Sequence, residues 1–120
     1  MIRIRTLIGV AIASALVILL AASFADARPT AAATTTVTVR MKEFKFVLSR
    51  KTVPHGRVVF KLINAGRIAH DFKIGTKKSI LYRPGKSGRL VVTLARGSHA
   101  FKCTVDSHAR LGMKGTLRVT

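Results

Sequence analysis

From Thr35 onward the chain alternates apolar and polar residues in short runs. Thr35–Arg40 (TTVTVR) and Phe44–Phe46 (FKF) step with period two. Val53-Pro54-His55-Gly56 is a turn signal, and the strand-like run Val58–Ile63 (VVFKLI) follows it until Asn64-Ala65-Gly66 breaks the pattern. His70–Ile74 (HDFKI) alternates again, whereas Gly75–Gly88, with Gly75, Pro84, Gly85 and Gly88, reads as a long connection. Leu90–Leu94 (LVVTL) stops at Gly97, His99–Cys103 (HAFKC) alternates, and a loop leads through Gly115 to Thr116–Val119 (TLRV). Period two places successive side chains on opposite faces of a strand. Such runs, separated by turn residues every ~8–12 positions, predict an all-β sandwich or barrel. No stretch beyond the N-terminal region sustains an apolar repeat at helical spacing. Val58, Phe60, Leu62, Phe72, Ile74, Leu90, Val92, Leu94, Phe101, Leu117 and Val119 are the expected core.

The first 27 residues have a different pattern. A short basic start, Met1–Arg5, precedes an uncharged and mostly apolar run from Thr6 to Phe24, and Ala25-Asp26-Ala27 has the small-x-small form of a signal-peptidase site. That run approaches the ~20 residues that span a bilayer as a helix. Residues 1–27 are therefore expected to be an export signal or a retained anchor helix, and the small-residue site directly after the run favours cleavage. With the basic residues kept inside, everything after Ala27 is placed outside the cytoplasm, in a periplasm, on the outer membrane face or in the medium. Residues 28–34 (RPTAAAT) form a small, polar leader, and residues 35–120 a single domain.

The 120-residue chain carries 22 Lys and Arg, and its formal net charge is +18. Setting aside Arg3, Arg5 and Asp26 leaves 20 basic residues against Glu43, Asp71 and Asp106, a formal +17. Arg40, Lys42, Lys61, Arg89 and Arg118 alternate with apolar residues, as on the solvent face of strands. Such a field draws acidic partners or anionic surfaces and speeds encounters at low salt. Nucleic acid is not the expected partner, because export removes the usual target, aromatics are few and no recognition motif is present.

One cysteine, Cys103, excludes a disulfide framework, and a lone thiol in an oxidising compartment calls for an explanation. Taken singly, Cys103 and Met113 read as core residues and a histidine as an ordinary surface or core residue. Their spacing reads otherwise. Cys103, His108 and Met113 stand at five-residue steps, with Gly112 and Gly115 flanking the methionine, and a tight loop leaving a strand can gather all three. Upstream, Asn64-Ala-Gly66-Arg-Ile-Ala-His70-Asp-Phe72 places a second histidine between two strands. Two imidazoles, one thiolate and a weak axial thioether suit copper in an electron-transfer site. His55, in its turn, and His99 are read as non-ligands; His99 shares the strand face of Cys103 and is expected beneath the site in the core.

These residues carry a family resemblance. From about Lys42 to Val119 the chain resembles the cupredoxins, the plastocyanin-like small blue copper proteins, and its Cys-x4-His-x4-Met loop is similar in spacing to auracyanin and rusticyanin. The resemblance implies a Greek-key β-sandwich with one type 1 copper ion at one end, held by His70, Cys103, His108 and Met113. It implies hydrogen bonding around Asp71, with Thr104 as donor, that joins the two ligand segments. It also implies that His108 reaches the surface as the electron port, within an apolar docking patch of Ala109, Leu111 and Gly112. The expected partner is an acidic redox protein such as a cytochrome, a membrane oxidase or a copper enzyme, met by a monomer. Where many relatives carry Pro-Gly before the second histidine, this chain has Asp106-Ser107.

The expected function is therefore transfer of single electrons. The alternative is copper handling, as a scavenger or chaperone; such proteins favour exposed Met- and His-rich sites, and only Met41 and Met113 follow the signal. Multicopper enzymes need further histidines beside the cysteine, where this chain has Lys102 and Thr104, and a binuclear centre needs a second cysteine. No enzymatic activity is expected.

Overall fold

The alternating runs fold as strands that each bury one face. A computed structural model describes residues 33–120; the signal or anchor expected at 1–27, with its apolar run at 6–24, and the leader through residue 32 lie outside the described residues. Nine strands follow in order: β1 (Thr35–Lys42), β2 (Lys45–Leu48), β3 (Thr52–Val53), β4 (Gly56–Asn64), β5 (Lys73–Ile74), β6 (Lys77–Lys78), β7 (Ser87–Leu94), β8 (Gly97–Lys102) and β9 (Lys114–Val119). They form a four-stranded sheet, β2-β1-β4-β7, and a five-stranded sheet, β3-β9-β8-β5-β6. The β1–β4 and β3–β9 pairs are parallel and the others antiparallel. Among the described residues there is no helix.

Between the sheets lies one apolar core. Val37, Val39 and Met41 of β1 and Val58, Phe60 and Leu62 of β4 point inward at every second position and are fully buried. Of the expected core only Leu90 is half-buried, packed on the rim. Burial of this apolar face drives the assembly, at roughly 25 cal/mol per Å². The β6 edge is two lysines, Lys77 and Lys78, and a short charged edge resists pairing with a second chain.

Four phenylalanines form one cluster. Phe72 stacks at 5.1–5.5 Å between ring centroids on Phe60, Phe46 and Phe101. Phe72 follows His70 by two residues and Phe101 precedes Cys103 by two, so the same cluster anchors both chemically interesting segments. The β5–β8 register pairs Lys73 with Lys102 and Ile74 with Phe101. Continued past the strand ends, it sets Phe72 against Cys103 and Asp71 against Thr104.

A candidate metal centre at one end of the sandwich

Beyond β8 the chain enters the loop 103–113, which is closed by its own backbone. The Cys103 amide donates to the Met113 carbonyl (3.0 Å), the Met113 amide to the His108 carbonyl (3.0 Å), and the His108 amide to Val105 (3.1 Å). Leu111 and Gly112 donate back to Ser107 and Ala109. Gly112, at φ +121°, takes a conformation that side chains disfavour, and a Cβ there would press on the Phe44 carbonyl. Ser107 adopts φ +68° without being glycine.

The segment from Asn64 to His70 is held differently, by Asn64 from within and by distant groups from outside. Buried Asn64 donates through Nδ2 to the Ile68 and Tyr82 carbonyls (both 2.8 Å) and accepts through Oδ1 from the Gly66 amide (2.9 Å). His70 exchanges backbone hydrogen bonds with Tyr82 in an isolated bridge. The strand expected at His70–Ile74 starts only at Lys73, because the Tyr82 bridge takes over the backbone of His70.

The two segments meet. His70 Nδ1 and His108 Nδ1 lie 3.2 Å apart, Cys103 Sγ is 3.6 Å from His108 Nδ1, and the donor atoms of these three side chains all fall within 4.8 Å of one another. Among the described residues this is the one cluster of histidine, cysteine or carboxylate groups with ligand spacing. All three are buried, and Met113, whose backbone bonds to Cys103 and His108, is fully buried. Asp71 receives two hydrogen bonds from Thr104, one from the amide (2.6 Å) and one from the hydroxyl, and Lys78 Nζ lies 4.0 Å away.

Electrostatics tune these groups. Burial pushes the Cys103 thiol above its ordinary range, while the amides of Asp71 and Val105, aimed at the sulfur, pull the other way. Burial, and next the neighbouring His70, lower the His108 pKa, so its ring is neutral at pH 7 and free to ligate.

A third element, unread in the sequence, completes the site: the β1–β2 turn. Glu43 Oε1 accepts from the Arg67 amide (2.6 Å) and the Ile68 amide (3.0 Å) and lies 3.1 Å from His70 Nε2. The Arg67 amide leads the causes that hold this carboxyl down at about 2. Its neighbour Phe44 sets its ring edge-on to His108 at 5.2 Å. The one signal available was that Glu43 is the single carboxylate among the basic residues of the first strands.

The other histidines stay apart. His55 is exposed, with Nδ1 3.0 Å from the Thr120 carbonyl and 3.3 Å from Arg96 Nε. His99 is half-buried with Nε2 2.7 Å from the Ala95 carbonyl, so it lies at the opening of β8 and not beneath the site as expected: β8 is exposed at its start and buries fully only at Phe101. Ala109 is half-buried, whereas Leu111, 57% exposed, and Gly112 face solvent.

Two imidazoles and a sulfur that is a thiolate once metallated form a soft, mixed set that fits copper, and Met113 is buried with its backbone bonded to both Cys103 and His108. Comparisons agree. The Cupredoxin-like domain family matches residues 11–119. Dithionite-reduced auracyanin from the photosynthetic bacterium Roseiflexus castenholzii superposes with a TM-score of 0.63 at 22% identity, over 72% of this chain and 97% of its own. Rusticyanin from Thiobacillus ferrooxidans gives 0.62 at 19%, over 72% and 77%. The copper nitrite reductase from Nitrosomonas europaea gives 0.58 at 19%, over 72% of this chain and 41% of that one. No curated protein sequence matches the chain. His70, Cys103 and His108 are positioned to bind one copper ion.

Proposed function

The chain belongs to the cupredoxin-like domain family, and on that premise we propose that it is an exported type 1 copper protein that carries single electrons between redox partners. The convergence of His70 Nδ1, His108 Nδ1 and Cys103 Sγ within 4.8 Å, in a buried pocket, carries this reading.

Copper bound there supplies a one-electron couple. The protein's part is to keep the donors still. Backbone hydrogen bonds fix Cys103, His108 and Met113 relative to one another, and the Asp71–Thr104 pair fastens their loop to the His70 segment. Donors that need not rearrange between oxidation states keep transfer fast. Met113, buried and joined through its backbone to Cys103 and His108, would supply a thioether as the fourth donor. Cys103 would hold the metal as its thiolate, so loading at neutral pH would release about one proton.

Burial favours a carrier over an enzyme. His70 and Met113 are 0% exposed and Cys103 1%, which leaves no approach for a substrate, whereas His108 is 7% exposed. His108 is thus the port, framed by Ala109, Leu111 and Gly112. The basic surface steers an acidic redox protein, in the weak and fast contact usual for electron-transfer pairs.

A visible spectrum of the copper-loaded domain tests the proposal. An intense absorption toward the red end, bleached and restored through repeated reduction and oxidation without copper loss, is expected. A colourless Cu(II) complex sinks the electron-carrier reading, and metal lost at each reduction points to copper handling instead.

A further inference from the structure

The β1–β2 turn touches both ligand segments, and its single carboxylate has a geometry that a surface ion pair lacks. Glu43 Oε1 meets three donors at once: two consecutive amides of the Arg67–Ile68 loop and the far nitrogen of the His70 ring. His70 is fully buried. The approach is so close that any side chain on Gly66 would collide with Glu43 Oε1 and press to 3.0 Å on His70 Nε2. Gly66 therefore leaves room for this contact.

A carboxylate only accepts hydrogen bonds, so Nε2 is the nitrogen of His70 that carries hydrogen. In a neutral ring that leaves Nδ1 bare, and Nδ1 faces His108 and Cys103. A carboxylate behind an imidazole also raises its basicity as a ligand, and a fixed negative charge favours the higher oxidation state of a nearby ion.

We propose that Glu43 is a positioning residue that locks His70 in its Nε2–H form, presents Nδ1 to copper and biases the centre toward Cu(II). The inference rests on the copper-carrier reading above but is separable from it. Neither Asp71 nor Asp106 does the same work. Asp71 is occupied by Thr104 and lies near Lys78, and Asp106 is exposed on the loop.

Two measurements test it. Long-range proton–nitrogen spectra of the wild-type apoprotein read the His70 tautomer directly: Nε2–H is expected, and Nδ1–H overturns the proposal whether or not the protein carries electrons. The second is the reduction potential of copper-loaded Glu43→Gln, which keeps an oxygen acceptor and loses the charge. The blue band should persist while the Cu(I):Cu(II) ratio at fixed potential rises about tenfold, a 59 mV upward shift for a one-electron couple. Asp106→Asn, which removes an equal charge from the exposed loop, calibrates a general charge effect. An E43Q shift no larger than that of D106N overturns the bias. Failure of the wild-type protein to show a blue, reversible couple rejects the carrier reading, and the tautomer then decides alone whether Glu43 orients His70.

Discussion

The two segments that build the metal centre are held by opposite means. Residues 103–113 tie the backbones of Cys103, His108 and Met113 together through hydrogen bonds that rarely leave the loop. Residues 64–70 bring one imidazole, and beyond the local bonds of Asn64 the groups that fix it come from elsewhere in the chain: Glu43 from the β1–β2 turn and Tyr82 from the long connection before β7. One half of the site is local and self-supporting, and the other depends on the finished fold. The comparison teaches that ligand spacing and ligand orientation are encoded separately.

The sharpest break in this contrast is a pair of ligand changes. Cys103→Ser should abolish the intense copper band. His70→Gly should keep a coloured copper–thiolate site of weaker affinity, since the self-closed loop still presents its donors. Equal loss of colour in both variants would show that the loop is not self-sufficient.

Next in size is Asn64→Ala. It removes two Nδ2 hydrogen bonds and one to Oδ1 from a buried site, and should cost about 2–3 kcal/mol in denaturant unfolding of the apoprotein. A loss below about 1 kcal/mol would mean that the upstream segment is held by packing instead.

Acid should loosen the upstream half. The Glu43 carboxyl is lowered from 4.5 to about 2 in the fold. Its contribution is therefore fully present above pH ~4.5 and is lost as pH falls through about 2. The amide shifts of Arg67 and Ile68 should titrate with a midpoint near that lower value. A midpoint near 4.5 would show that the tether is absent in solution.

The smallest effect belongs to the loop. Ser107 holds a left-handed conformation at φ +68°, which costs a side-chain-bearing residue ~1–2 kcal/mol. Ser107→Gly relieves this, less the added chain entropy of glycine, and should stabilise the apoprotein by about 0.5 kcal/mol with the copper spectrum unchanged. Destabilisation would indicate that the Arg110 hydrogen bond to Ser107 Oγ matters more than the backbone.

How much of this was legible follows the same division. Period-two alternation found the long strands because each buries one face, and the five-residue steps found the loop donors because their geometry is local. The two-residue strands β3 and β6 left no pattern to read. Their partners are Arg118–Val119 and Lys73–Ile74, and two residues make no period. Asp71 and Thr104 stand 33 residues apart, yet the β5–β8 register brings them opposite each other. Glu43 was invisible because nothing in its own neighbourhood announces a histidine 27 residues away. His99 was misplaced because parity along a strand gives the face and not the depth.

The crowding of three donors into residues 103–113 also affects how the protein melts. Unfolding scatters His70 but leaves Cys103, His108 and Met113 on one short tether, so a denatured chain keeps much of its grip on the metal. A ligand stabilises a fold only by the difference between its affinities for folded and unfolded chains. Copper should therefore raise the melting temperature by less than its affinity for the native protein implies. Pairings such as Thr52 with Arg118 join distant parts of the chain and close slowly. His70, placed by Glu43 and Tyr82, would join the loop's donors only once such distant contacts have formed.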